Sequence, residues 1–161
     1  VGAEKLNESI SYSKTGLEYF NKGDYQNASI EFEKAAEANP LDYAHLENAA
    51  TANYMIGNLE KAEEQIDVVI NDLNPLNGKC EYIKALIYIK MGDPIGACPY
   101  LATARDSGFS QAAGPDRVHV SDAFRNRVNV LSTQSSHEQL HAGCRLYRDD
   151  GFEALLIRVE S

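Results

Sequence analysis

Tyr12-Ser13-Lys14-Thr15-Gly16-Leu17-Glu18-Tyr19, followed by Gly23-Asp24-Tyr25, Ala28, Phe32, Ala35 and Pro40, is the stretch whose reading decides the fold. Gly16 and Ala28 are small, and small residues let two helices approach closely where they cross. Tyr19 and Phe32 are large and fill the space beside that crossing. Gly23 ends the first helix, because a left-handed residue after a helix is least strained as glycine. Asp24 can cap the second helix. Pro40 stops that helix after Asn39, since the residue before a proline is pushed out of the helical region.

One helix–turn–helix unit cannot bury its apolar face alone, so the unit should recur. Gly23 returns as Gly57 and Gly92, Ala28 as Ala62 and Ala97, and Phe32 as Ile66 and Leu101, at intervals of 34 and then 35 residues. Gly16 returns as Ala50 and Ala85, and Tyr19 as Asn53 and Tyr88. Three features depart from the register: Asn53 in an aromatic column, a one-residue insertion near Asn74-Pro75, and Pro94 early in a helix, where proline is tolerated. The pattern resembles the tetratricopeptide repeat (TPR), a unit of about 34 residues reading W-x2-L-G-x2-Y…A-x3-F…P. Tyr12 stands where the family has Trp, and Thr15 where it has Leu.

The resemblance implies an all-α fold, an α-solenoid of antiparallel helix pairs, over about two-thirds of the chain. Residues 1–8 are a flexible or helix-extending N-terminus. Residues 9–113 form a three-repeat TPR domain, with units at about 9–40, 43–75 and 78–109. The expected helices cover 9–22, 24–38, about 42–56, 59–72, 79–91 and 94–107. Residues 114–161 are a C-terminal extension. Gly114-Pro115 interrupts the chain there, and composition shifts: residues 1–113 hold eight Lys and one Arg, residues 114–161 six Arg and no Lys. That shift fits either a different module or a tail of foreign origin. Apolar spacing in the tail predicts helices carrying Phe124, Val128 and Leu131, then Leu140, Cys144 and Tyr147. Ala154 to Val159 reads as helix or strand. One or two tail helices are expected to cap the open end of the third repeat.

The 161 residues, 43% of them hydrophobic, suffice for a core. No run approaches the roughly 18 apolar residues of a membrane span. The net charge of −9 without a basic cluster argues against nucleic acid, which is held by clustered Lys and Arg. A first residue other than Met suggests a processed or truncated chain. The TPR resemblance implies a cytoplasmic protein, or a periplasmic one after signal removal, of bacterial type. Cys80, Cys98 and Cys144 are odd in number and are read as free thiols.

In the family the first helix of each pair lines a concave groove. Carried over, this implies a groove of Leu17, Phe20, Asn48, Thr51, Tyr54, Lys79, Tyr82, Ile83, Leu86 and Ile89, with Ile10, Ser13, Lys14, Asn21 and Met55 beside them. A groove so apolar fits a non-catalytic scaffold that binds a peptide or helix of a protein partner. The family's chaperone-tail clamp needs five polar groups, and only Asn48 and Lys79 match it. Ser13, Leu17 and Ile83 occupy the other three places, so that subclass is rejected. Two alternatives remain. One is a self-associating module, such as a homodimer, with the groove filled by its own tail or a neighbour. The other is a zinc-dependent hydrolase using His137-Glu138-Gln139-Leu140-His141, an H-E-x-x-H arrangement that puts two imidazoles on one helical face. A 48-residue tail lacks room for a peptidase cleft, so no enzyme, cofactor or metal is expected. The carboxylates Glu31/Glu33 and Glu60/Glu63/Glu64 are read as solvated faces of outer helices.

Overall fold

The computed structural model describes residues 2–109 together with three short segments, Arg117–His119, Arg145–Tyr147 and Glu153–Leu156. The chain divides into two compact units, Val1–Leu76 and Asn77–Ser161. The first contains α1 (Ala3–Asn21), α2 (Tyr25–Ala38), α3 (Tyr43–Ile56) and α4 (Leu59–Val68), the last prolonged by a π-helical turn at Val69–Leu73. Each of these helices packs on the next. The second contains α5 (Lys79–Met91) and α6 (Pro94–Asp106), packed on each other, and strands β1 (Arg117–His119), β2 (Arg145–Tyr147) and β3 (Glu153–Leu156). The six helices fall where the repeat predicts them, and helices α1–α6 are all-α in a TPR-type arrangement of helix pairs.

The turn inside each pair has the expected geometry. Gly23, Gly57 and Gly92 sit at φ 79°, 86° and 86°, the left-handed region that a β-carbon penalises. Asp24 and Asp93 follow two of these glycines and accept backbone N–H bonds from Asn27 (3.2 Å) and Gly96 (2.9 Å), capping α2 and α6, while Asp42, ahead of the second pair, accepts from Ala44 (3.1 Å) and caps α3. The hydrogen bonds from Asn27 hold the Asp24 carboxyl below its usual range.

The core of the first unit explains its small-residue columns. Ala28, Phe32, Ala49 and Ala52 form one buried cluster, with Tyr19 and Phe20 packed against it. A β-carbon placed on Gly16 would lie 2.8 Å from two ring carbons of Phe32. The largest side chain in the Phe32 column thus stands opposite the smallest in the Gly16 column. Ile66 in the second pair and Leu101 in the third are smaller, and their counterparts Ala50 and Ala85 carry the extra carbon.

Asn53 is where the repeat departs most and where packing compensates most fully. It is 2% exposed, and its amide donates to Gln65 Oε1 at 2.9 Å and to Glu33 Oε1 at 3.3 Å. Gln65 donates to the same Glu33 oxygen at 2.8 Å, and Lys61 Nζ lies 2.7 Å from it. One carboxylate of α2 therefore gathers donors from α3 and α4, joining the first repeat to the second. Burial opposes ionisation of Glu33. The hydrogen bonds from Lys61, Gln65 and Asn53, with the Lys61 charge, outweigh it and hold the carboxyl below its usual value. Glu33 is therefore no solvated surface group, contrary to the sequence reading.

In the second unit, Cys80, Ile83, Ala85 and Ile87 of α5 and Ala97, Cys98 and Ala104 of α6 are buried. Lys84 lies across the rings of Tyr100 and Tyr88, with Nζ 4.7 and 5.9 Å from the ring centres. Cys80 is a buried thiol outside any disulfide, whereas Cys98 is disulfide-bonded, which corrects the reading of free thiols throughout. The strands correct another expectation. The spacing places Tyr147 on the apolar stripe of a tail helix with Leu140 and Cys144, yet Arg145–Tyr147 is the central strand of a three-stranded sheet, parallel to β1 and antiparallel to β3. β3 is a strand over Ala154–Leu156 of the stretch read as helix or strand, and residues 157–159 lie outside the described residues. Strand pairing satisfies backbone groups across segments far apart in sequence, which apolar spacing within one segment does not register. The expected helix bearing Phe124, Val128 and Leu131 lies outside the described residues.

Candidate functional site

The first helices of the two pairs in the first unit are α1 and α3. On α1, Leu6, Ile10 and Leu17 fall within about 40° of one another around the helix axis. They remain 44%, 57% and 46% exposed, although the same helix buries Ser9 and Gly16 on another face. Three large aliphatic side chains on one stripe with nothing from the described chain covering them are a feature that a fully solvated surface avoids. Lys14 and Asn21, both exposed, border this stripe. Phe20 is half-buried and meets Tyr25 edge-on, ring centres 4.9 Å apart.

On α3, Asn48, Thr51 and Tyr54 are half-buried, and Met55 is 43% exposed. The Thr51 hydroxyl donates back to the Glu47 carbonyl at 2.8 Å. Glu47 itself, only 4% exposed, is a buried carboxylate on the helix face from which partner contacts were expected. In the second unit, Lys79, Tyr82, Leu86 and Ile89 on α5 are half-buried. Tyr82 packs on Phe109 with ring centres 5.3 Å apart, and Ile83 is 6% exposed, part of the interior. Among α1, α3 and α5 the most exposed large apolar side chains are therefore on α1; Leu41 and Leu76, at 76% and 74%, are more exposed but stand singly between helices. Leu6 is a position the sequence reading passed over. The signal was available: Leu6, Ile10 and Leu17 share one stripe, but the repeat match begins after Leu6.

The family comparison rests on these helices. The tetratricopeptide repeat model matches residues 9–40, the α1–α2 pair. By sequence the α1–α2 pair matches a tetratricopeptide repeat, and the helices share the fold of solved tetratricopeptide repeat proteins. Solved TPR structures resemble the chain in fold. A mutant of MamA shares 25% identity, with a TM-score of 0.57 over 62% of this chain and 72% of the other. The first TPR of Spaghetti (RPAP3), bound to an HSP90 peptide, shares 16% with a TM-score of 0.60 over 80% and 93%. The Sgt2 TPR domain of Aspergillus fumigatus shares 21% with a TM-score of 0.59 over 79% and 78%. No curated protein sequence matches the chain.

Among the described residues no group of three or more His, Cys, Asp or Glu could hold a metal ion. His137 and His141 lie outside them. No described helix is long and apolar enough to cross a membrane.

Proposed function

We propose that this TPR array is a non-catalytic scaffold that binds a segment of a partner protein on its inner helices, with the α1 stripe as the main contact. The observation that carries this reading is the exposure of Leu6, Ile10 and Leu17 on one face of a helix whose other face is packed. Burying such side chains is worth about 25 cal/mol per Å², before the cost of ordering the partner is subtracted. The peptide held by the RPAP3 TPR shows that this fold can act in that way. Leu17, Phe20, Asn48, Thr51 and Tyr54 are assigned to the contact surface of the first unit. Lys79, Tyr82, Leu86 and Ile89 are assigned to that of the second, with Ile83 supporting it from below.

Site-specific photo-crosslinking tests the proposal. A photoreactive residue replacing Leu17 should give discrete adducts in cells of the source organism. The same residue replacing the exposed Gln26 on the outer helix α2 should give none of them. Identical adducts from both positions, or none from either, would defeat it.

A further inference from the structure

The charge of the chain is unevenly placed. Residues 1–76 hold 14 Asp and Glu against five Lys and no Arg, a net charge of −9, while residues 77–161 hold ten acidic and ten basic residues and are neutral. The whole net charge therefore belongs to the unit that carries the exposed α1 stripe. Two of its five lysines are already neutralised, Lys34 by Glu31 and Lys61 by Glu33, each at 2.7 Å. Glu4, Glu8 and Glu18 on α1 are exposed about 100–180° around the axis from the stripe, so the acidic charge reaches the stripe as the field of the unit and not as direct contacts.

We infer that the occupant of the α1 stripe is a basic amphipathic helical segment of another protein. This rests on the docking reading above and adds the chemistry of the partner. The stripe supplies apolar contact at helical spacing, which suits an amphipathic helix with its own i, i+3, i+4 anchors. The field supplies the sign. A unit at −9 attracts cationic segments over a Debye length of about 8 Å, and repels acidic peptides. It also repels a second copy of itself, which would bring the same negative charge to the same face. Lys14 is the cation that borders the stripe and opposes such a partner, so its charge is a handle on the inference.

The test uses the full chain and three synthetic peptides of about five helical turns, followed by fluorescence anisotropy. One places Leu at helical spacing with Lys elsewhere, the second replaces every Lys by Glu, and the third scrambles the Leu/Lys order. The Leu/Lys helix should bind, and should weaken several-fold between about 50 and 200 mM salt as charge is screened. Ile10→Ser with Leu17→Ser should weaken it about tenfold, and both sites are exposed enough to leave the fold intact by circular dichroism. Lys14→Glu should tighten it about two- to threefold. Preference for the Glu peptide, lost in the double variant, overturns the basic partner and leaves the docking face standing. Equal binding of the scrambled peptide, unchanged by the double variant, makes the attraction diffuse and overturns the docking face itself. A dimer in light scattering that Ile10→Ser/Leu17→Ser dissolves overturns the inference in favour of a second copy, as does failure of all three peptides to bind.

Discussion

Gly16→Ala pits two physical effects of known sign against each other. Exchanging glycine for alanine inside a helix favours the helix by up to about 1 kcal/mol. Against this, the new carbon would sit 2.8 Å from Cδ1 and Cε1 of Phe32, a ring that is 1% exposed and walled by Ala28, Ala49 and Ala52. Overpacking of that kind costs about 1–3 kcal/mol. The net expectation is a loss of about 1 kcal/mol. In urea, with a slope of about 2 kcal/mol per M, that moves the midpoint down by about 0.5 M. The decisive measurement repeats the substitution in a Phe32→Leu background. The double variant would reproduce the alanine and leucine that the third repeat already uses at Ala85 and Leu101. With the ring gone, only the helix-propensity gain remains, so Gly16→Ala should become stabilising, a coupling of about 1–3 kcal/mol across the cycle. Urea unfolding followed by circular dichroism at a helix band reads all four proteins. If Gly16→Ala stabilises equally whether Phe32 is kept or replaced by leucine, the glycine is not there to admit the ring, and the compensation between columns is an accident.

Other expectations follow from the polar network and the caps. Glu33 is held below its ordinary carboxyl value, so its contribution is present above the unfolded value near 4.5 and fades as pH falls through the lower folded value. The stability gap between the native chain and Glu33→Gln should therefore be widest near neutral pH and narrow as the pH falls below 4.5 in thermal unfolding scans. A gap independent of pH would mean that ionisation of Glu33 is not what joins α2 to α4. Asn53→Leu should cost about 2–3 kcal/mol, because Gln65 and Glu33 lose a buried donor. Adding Gln65→Leu should cost less than the sum of the single changes by urea midpoints, and strict additivity would count against a shared network. Asp42→Ala, which removes a cap on α3, should cost about 1 kcal/mol, and Asn58→Ala, which removes no capping bond on α4, less than half that. Equal losses would sever the link between the capping bond and helix stability.

The sequence by itself determined the helix pairs. Gly23, Gly57 and Gly92 with Asp24 and Asp93 are local instructions, each acting through the backbone conformation and hydrogen bonds of a few neighbouring residues. Their recurrence at 34 and 35 residues announced the array before any contact was known. What only the tertiary structure decided lies between elements. Asn53 read as a defect in an aromatic column and Glu33 as a wetted acid, because one is on α3 and the other on α2. Only folding brings them together at one carboxylate oxygen, along with Gln65 and Lys61. Likewise, exposure chose among the groove residues: Ile83 and Leu17 look alike on the page, yet one is buried in the second unit and the other open on α1. The strand at Arg145–Tyr147 makes the same point, since it pairs with Arg117–His119, a segment distant in sequence. Periodicity reports what a segment prefers alone; burial and pairing depend on what other segments bring to it.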